Sequence, residues 1–230
     1  WKLNWKPAMQ NVIHACKHHG AKLVFFDNVY MYDRNHLSHM TEETPVRPTS
    51  KKGEIRAEVA KLLWDEFDKK DVDGLIARSA DFIGPRNSLL VELVYNSLKK
   101  NKKANWLADA NKIHSFTNTF DAAKGTAILG NTPDAYNQIW HLPTDPSPIT
   151  GKQWIELFAK ALNAKPGIRE IPMWMLSIMG IFNPILKEFK EMGYQYDRDY
   201  FFDSSKFTKQ FNYTPYTPEE SVNQIISQFK

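Results

Sequence analysis

The chain has a single cysteine, Cys16, among its 230 residues. One cysteine cannot form an intrachain disulfide, and it cannot build a metal site from several thiolates. A protein without disulfides fits a reducing compartment. We therefore expect a cytoplasmic location and no metal.

Long apolar runs are also missing. The most apolar segment, Met173 to Leu186, is interrupted by Asn183 and Pro184. It is shorter than the roughly 20 residues that a helix needs to span a bilayer. The first ten residues resemble neither a secretion signal nor a membrane anchor. We expect no membrane partner and interpret the apolar segment as a buried helix.

A strong excess of one charge is missing as well. The chain has 30 basic and 26 acidic side chains, which gives a net charge of +4. The basic residues cluster locally, as in Lys99, Lys100, Lys102 and Lys103, and such a cluster is typical of a solvated loop. We therefore expect no nucleic-acid partner.

What the sequence does contain is a repeated arrangement of a helix followed by an apolar strand. Residues Ala8 to His19 have helical periodicity, and Gly20 and the apolar run Lys22 to Phe26 follow. About 50 residues later, a helix over Lys52 to Lys69 precedes the strand Gly74 to Arg78. Two such units in succession predict a parallel sheet of the doubly wound kind.

Mixed elements follow this part. The sequence predicts a helix near Leu89 to Leu98, a strand over Ile113 to Thr117, a helix with Asp121 as its N-cap, a strand over Asn137 to Leu142, and a helix over Lys152 to Leu162 opened by Thr150. In the remainder of the chain, prolines separate short predicted helices, which indicates a smaller lobe. We expect His14 and His18 to be solvated, and we interpret four tryptophans as packing residues: Trp106, Trp140, Trp154 and Trp174.

Polar and aromatic residues directly follow the two apolar strands. They occupy Asp27 to Tyr32 after the first strand and Ser79 to Pro85 after the second. Ligands of an open parallel sheet bind beyond the carboxyl ends of its strands. These two segments are therefore the candidate site.

Several motifs in these segments occur in the order and spacing of a known family. They are Asn28 and Tyr32 four residues apart, the loop Thr41 to Pro48, Lys52-Gly53-x-x-Arg56, Arg78 with Gly84-Pro85, His114 to Asp121, and Asp203 to Phe207. Together they resemble the extended short-chain dehydrogenases of the NAD-dependent epimerase/dehydratase type, over nearly the whole chain.

This resemblance implies an α/β fold: a partial doubly wound, Rossmann-like parallel sheet with a smaller mixed C-terminal substrate lobe. Residues 1–86 and 113–142 would form the C-terminal part of the NAD(P)-binding domain. Residues 87–112 and 143–230 would form the substrate-binding lobe.

The sequence departs from the family in its phosphate-binding motif. No Gly-x-Gly-x-x-Gly spacing occurs, and the residues before Ala8 cannot hold the strand and helix that carry it. The chain also has no initiating methionine. We expect that about 80 to 90 residues of a complete dinucleotide-binding half precede it.

The resemblance also implies roles for particular residues. The family's catalytic tyrosine falls on Lys52, its lysine on Arg56 and its serine or threonine on Asn28. Lys52 could donate a proton or stabilise an oxyanion, and Asn28 could donate to a carbonyl oxygen. Tyr30 and Tyr32 are alternative phenols.

Binding roles follow from the same resemblance. The expected cofactor-binding residues are Asp27, Arg56 and Ala80, and the expected substrate-binding residues are Asp81, His114 and Asn118. Each has a simpler structural interpretation: Asp81 could cap a loop, and His114 and Asn118 could flank a strand. Arg78 is more typical of a structural hydrogen-bond hub.

Three functions remain open. The first is an NAD- or NADP-dependent epimerase, dehydratase or reductase that acts on a nucleotide-sugar or another small hydroxyl- or carbonyl-bearing metabolite. The second is a non-catalytic NAD(P)-binding module with a regulatory or scaffold role, which the loss of the Tyr/Lys pair favours. The third is a fragment that is inactive by itself. A homodimer is one possible assembly, which the sequence does not decide.

Overall fold

The computed structural model describes residues 3–86, 88–175 and 191–229. Its helices include α1 (Trp5–His19), α2 (Lys51–Asp68), α3 (Asn96–Leu98, which continues a π-helical turn at Val91–Tyr95), α4 (Thr119–Gly130), α5 (Gly151–Leu162), α6 (Ser205–Phe211) and α7 (Pro218–Gln228). Its strands are β1 (Leu23–Asp27), β2 (Gly74–Arg78), β3 (Asp81–Ile83), β4 (Ala104–Leu107), β5 (Phe116–Asn118), β6 (Ile139–His141) and β7 (Ile168–Ile171). Most of the segment interpreted as a buried helix, Met173 to Leu186, lies outside the described residues.

The central sheet is parallel and has the order β1-β2-β6. In its register Asp27 lies beside Arg78, and Arg78 lies beside His141. The two apolar runs predicted as strands are therefore neighbours, and the predicted parallel α/β sheet is confirmed. Helices α1 and α2 cover one face with a core that includes Ile13, Val59, Leu63 and Ile76.

Local signals explain where the main helices begin and end. Gly20 ends α1 in the left-handed region with a φ of 62°, which glycine adopts without strain. The Ser50 side chain accepts a hydrogen bond from the Gly53 amide and begins α2. Thr150 and Gln153 form a capping box at α5. Thus α2 and α5 begin within one residue of the predicted positions, while α1 begins three residues earlier than predicted.

Two further parallel pairs, β3 with β5 and β4 with β7, complete the strands of the described part. The pair β4 and β7, the π-helical turn, α5 and α7 share a separate core built around Trp106, Trp154, Ile155 and Phe158. β3, β4 and β7 were not predicted, because each has only three or four residues and no alternation to reveal it.

Three local predictions were wrong. The N-cap of α4 is Asn118, not Asp121, because the Asn118 side chain accepts from the Phe120 amide. Asp121 is buried and accepts hydrogen bonds from the Tyr213 hydroxyl and the Tyr216 amide instead. The strand expected over Ile113 to Thr117 is shifted to Phe116–Asn118.

The third error concerns the tryptophans. Trp174 is 63% exposed, so it is not a packing residue of the described part. The other three, Trp106, Trp140 and Trp154, are buried as predicted, whereas His14 and His18 are exposed.

Candidate functional site

Three charged or polar side chains stand side by side where the strands of the central sheet end. They are Asp27 of β1, Arg78 of β2 and His141 of β6, and all are at most 2% exposed. The Arg78 Nη1 donates to the Tyr32 hydroxyl at 3.0 Å, and the Tyr32 Oη lies 2.7 Å from the His141 Nε2. This arrangement, which we call the Tyr32 network (Tyr32, Arg78 and His141), ties the ends of two strands to the loop that follows β1.

Helix α2 brings a second arginine to the same place. Its first turn packs so closely on the loop after β1 that a side chain at position 53 would collide with the Tyr30 carbonyl, which explains the glycine there. As a result Arg56 Nε lies 3.0 Å from Asp27 Oδ1, and both side chains are buried. The Arg56 guanidinium also lies over the ring of Trp5, with a distance of 4.5 Å to its centroid.

A large cavity opens beyond these strand ends. Its volume is about 1010 Å³, which is ample for a small organic ligand. Seven residues that the sequence singled out line it: Asp27, Asn28, Tyr30, Lys52, Arg56, Ala80 and Asp81. The predicted convergence of the four residues Asn28, Lys52, Arg56 and Asp81 on one crevice is therefore what the structure contains.

Asn28 and Lys52 both line the cavity. The Asn28 Oδ1 accepts from the Tyr30 amide at 3.1 Å, which fixes the side chain. The amide nitrogen of Asn28 can then donate toward the cavity. The backbone amide of Lys52 donates to the Glu191 carboxylate at 2.8 Å, so the first turn of α2 is anchored to the C-terminal segment.

Asp81 forms the centre of a polar group on the cavity wall. Its Oδ2 accepts from the Tyr196 hydroxyl at 2.6 Å and lies 3.0 Å from the His114 Nε2. Burial alone would raise the pKa of Asp81, but the hydrogen bonds from His114 and Tyr196 outweigh it and the pKa is lowered. Asp81 is thus a carboxylate at neutral pH. The His114 ring stacks between Tyr196 and Tyr200, with centroids 4.2 and 4.4 Å away.

Three of the sequence-predicted site residues do not line the cavity. Tyr32 is 1% exposed and belongs to the network described above. His114 lies behind Asp81 and reaches the cavity through it. Asn118 caps α4, and its amide donates to the Ser221 hydroxyl and to Gln224 Oε1 on α7, so its contacts hold two helices together.

The structure also places residues on the cavity wall that the sequence did not indicate. The segment after residue 190 contributes Gln195, Tyr196 and Tyr200, and β7 contributes Arg169 and Glu170. Nothing periodic marks these positions in the sequence. The polar and aromatic run Tyr194-Gln195-Tyr196 was the one available signal.

The residues at the strand ends fit a ligand with ribose-like hydroxyls. Nη1 of Arg56 is buried and makes no hydrogen bond within the described residues. The Asp27 oxygens form ion pairs, Oδ1 with Arg56 Nε at 3.0 Å and Oδ2 with Arg78 Nε at 3.5 Å, but neither contact has good hydrogen-bond geometry. Both side chains line the cavity. A donor and two acceptors at one place complement hydroxyl groups, which donate and accept.

The described residues contain neither a candidate metal cluster nor a candidate membrane-spanning helix. No group of three or more His, Cys, Asp or Glu side chains there could hold a metal ion. Among the same residues, no helix combines the length and apolar character that crossing a bilayer requires.

Comparisons with known proteins agree with this architecture. The model of the NAD dependent epimerase/dehydratase family matches residues 7–141, which is more than half of the chain. No curated protein matches the sequence.

Solved structures resemble the chain over almost its whole length. An NAD complex of dTDP-glucose 4,6-dehydratase from Bacillus anthracis has a TM-score of 0.75 at 14% identity, covering 96% of this chain and 66% of that one. A UDP-glucose 4-epimerase complex with NAD from Thermus thermophilus has a TM-score of 0.73 at 16% identity, covering 96% and 68%. A monomeric L-threonine 3-dehydrogenase from a metagenome has a TM-score of 0.73 at 12% identity, again covering 96% and 68%. The chain therefore spans about two thirds of the length of these proteins, and at such identities the likeness is one of fold.

Proposed function

Because the chain belongs to the NAD-dependent epimerase/dehydratase family, we propose that its full-length protein binds NAD or NADP and acts on a small hydroxyl- or carbonyl-bearing metabolite, such as a nucleotide-sugar. The observation that carries this proposal is the cavity at the carboxyl ends of parallel strands, lined by Asn28, Lys52, Arg56 and Asp81. A cytoplasmic location and a homodimer stay predictions from the sequence.

We assign the cofactor side of the cavity to Asp27, Arg56 and Ala80. Arg56 would donate to a ribose hydroxyl from Nη1, which has no hydrogen-bond partner among the described residues, and Asp27 would accept from one. A bound nicotinamide would supply the hydride acceptor and donor for oxidation and re-reduction of a substrate carbon. The domain division follows: residues 1–86 with 113–142 would hold the cofactor, and residues 87–112 with 143–230 would hold the substrate.

We assign the reacting side to Asn28 and Lys52. The Asn28 amide donates to the substrate oxygen and orients it. Lys52 places an ammonium group near the same oxygen, where it can donate a proton or stabilise negative charge. Asp81, held by His114 and Tyr196, accepts a hydrogen bond from a substrate hydroxyl.

A Lys52→Met variant of the full-length protein tests this assignment. We expect turnover, followed through the absorbance of the reduced nicotinamide with candidate sugars, to fall by about 10² to 10⁴. Lys51→Met is the matched control, since Lys51 is exposed on the same helical turn and is absent from the described cavity wall. Unchanged turnover in Lys52→Met would reject the role of Lys52.

A non-catalytic NAD(P)-binding module is the second candidate. It is favoured by one observation: Lys52 and Arg56 stand where the family has its catalytic tyrosine and lysine. Purified full-length protein that retains nicotinamide but turns over no candidate substrate would support the module. Protein that retains no nicotinamide and binds none when it is added would contradict both candidates.

A further inference from the structure

The N-terminus of α2 receives a hydrogen-bond acceptor from a distant part of the chain. The first amides of a helix have no partner within the helix itself. In α2 the Gly53 amide donates to the Ser50 hydroxyl, and the Glu54 amide donates to the Ser50 carbonyl. The Lys52 amide donates instead to the Glu191 carboxylate at 2.8 Å, which lies 139 positions further along the chain. The C-terminal segment therefore satisfies one of the donors at this helix end.

A second contact joins the same segment to the same place. The Tyr194 hydroxyl lies 3.5 Å from the Tyr30 carbonyl, and the Ser50 side chain interacts with the same hydroxyl. Burial raises the pKa of Tyr194 to about 12, so this hydroxyl keeps its proton at neutral pH. The Tyr30 carbonyl is also the group against which Gly53 packs. The segment thus contacts both the first turn of α2 and the loop after β1.

These contacts cross the proposed division of the chain. Lys52 belongs to the part that would hold the cofactor, and Glu191 belongs to the part that would hold the substrate. Met192 and Gln195, close to Glu191 in the sequence, line the same cavity as Lys52. A lysine side chain is a flexible stem with a charge at its tip, so the position of its backbone sets where the ammonium group reaches. The segment that forms part of the cavity wall therefore also holds the backbone of Lys52.

The chemistry of Glu191 suits this task. A carboxylate is favoured at a helix N-terminus, where the partial charge is positive, and its hydrogen bond to an amide is stronger than a bond between neutral groups. Glu42 makes a bond of the same kind, since its Oε1 accepts from the His141 amide at 2.9 Å. Neither glutamate belongs to the described cavity wall, and the difference between them is that only Glu191 accepts from Lys52.

We propose that Glu191 is a positioning residue for Lys52. By accepting from the Lys52 amide, it holds the first turn of α2 where the Lys52 ammonium group meets the substrate oxygen. Glu191 acts through Lys52 and not on the substrate. The inference rests on the proposed function in one respect: it takes Lys52 to act on the substrate.

Turnover of the full-length protein in two backgrounds gives the first test. We expect Glu191→Met to lower kcat about tenfold, because a small displacement of a reacting group is costly. Glu191→Gln keeps an acceptor for the amide and should stay within about threefold of the parent protein. In a Lys52→Met background, Glu191→Met should lower the remaining turnover no further, because both changes remove the same contribution.

Two results overturn the proposal in this test. One is a kcat that Glu191→Met leaves unchanged in the parent protein. The other is a fall by the same factor in both backgrounds, which a general loss of structure would produce. Glu42→Met is the matched control, since it removes a carboxylate-to-amide bond elsewhere. Its effect on kcat should be the same in both backgrounds, and an effect that also vanishes with Lys52→Met would overturn the proposal, because the coupling would not be specific to Glu191.

A measurement without turnover separates the two proposals. The ¹³Cε NMR signal of Lys52, identified by its absence in Lys52→Met, should shift in Glu191→Met and stay in place in Glu191→Gln. An unchanged signal in Glu191→Met overturns the positioning role. If Lys52→Met turns over normally, the proposed role of Lys52 in the reaction fails, and a signal that shifts in Glu191→Met still supports positioning. If Lys52→Met loses turnover and Glu191→Met changes neither turnover nor the signal, the positioning role alone fails.

Discussion

Two buried tyrosines, Tyr32 of the loop after β1 and Tyr200 of the C-terminal segment, share one core cluster and use their hydroxyls in opposite ways. Both are at most 1% exposed. The Tyr32 hydroxyl is bonded to Arg78 and His141, whereas the Tyr200 hydroxyl has no partner in the described chain and faces the cavity. Burial alone therefore does not mark a binding site. A buried polar group with internal partners holds the fold, and one without them at a cavity wall is available to a ligand.

Removing Arg78 should break the Tyr32 network most severely. Arg78→Met leaves Tyr32 without its donor and removes one of the two guanidinium groups near Asp27. We expect a loss of about 3 to 5 kcal/mol in the free energy of unfolding, measured by urea denaturation. Arg198→Met is the control: Arg198 pairs with Asp197 at the surface, and its loss should cost less than about 1 kcal/mol. Equal effects would mean that the network does not hold the strand ends together.

Substituting each tyrosine tests the comparison itself. Tyr32→Phe removes the partner of both Arg78 Nη1 and His141 Nε2, and we expect it to cost about 2 kcal/mol. Tyr200→Phe removes no hydrogen bond within the described residues, so its free energy of unfolding should not fall. Urea denaturation of both variants measures the difference, and equal losses would erase the distinction between the two regions.

Acid should weaken the Tyr32 network through His141. Burial lowers the pKa of His141 to about 3, and Arg78 contributes to the lowering while the Asp203 carbonyl opposes it. An unfolded histidine has a pKa near 6.5, so below that pH the unfolded chain binds a proton that the folded one does not. The stability from neutral His141 is complete above about pH 6.5 and is lost as the pH falls toward 3.

At pH 5 this loss should reach about 2 kcal/mol. Urea denaturation at pH 7 and pH 5 measures it, with His141→Gln as the reference. The variant should have a lower free energy of unfolding at pH 7, but this free energy should fall less between pH 7 and pH 5 than that of the parent protein. An identical pH dependence in the two proteins would show that His141 is not the responsible group.

The smallest expected effect concerns Asn118, which the resemblance placed in the substrate site. Asn118→Ala removes the cap of α4 and the donor to Ser221 and Gln224, and should cost about 1 to 2 kcal/mol in unfolding. Asn118→Asp keeps the acceptor for the Phe120 amide, so its free energy of unfolding should fall less than that of Asn118→Ala. Turnover with candidate sugars should be unchanged in both folded variants, and a lower turnover would return Asn118 to the substrate site.

The sequence predicted the parallel sheet because its signals there are local and repeated. The helix before Gly20 and the apolar strand after it, followed by the same arrangement before Arg78, predict neighbouring strands without long-range information. Ligands of a parallel sheet bind beyond its strand ends, so the sequence also predicts the place of the site. Asn28, Lys52, Arg56 and Asp81 line one cavity there.

The remaining errors arise where tertiary contacts decide. Asp121 has a residue type suited to capping, but Tyr213 and Tyr216, about 90 residues away, bring it into the interior. Gln195 and Tyr200 reach the cavity only because the C-terminal segment folds back onto β3. The polar and aromatic run Tyr194-Gln195-Tyr196 is a local signal, but it does not say where the C-terminal segment packs, so the second wall of the site could not be predicted from the sequence.

We propose that the cavity at the strand ends binds a nicotinamide cofactor through Arg56. Fluorescence titration of NADH and NADPH into the full-length protein and its Arg56→Met variant measures this directly. We predict that the dissociation constant of the preferred cofactor rises at least about tenfold in Arg56→Met, while Arg56→Lys stays within a few-fold of the parent protein. Equal affinity in the parent protein and a correctly folded Arg56→Met variant would contradict the account.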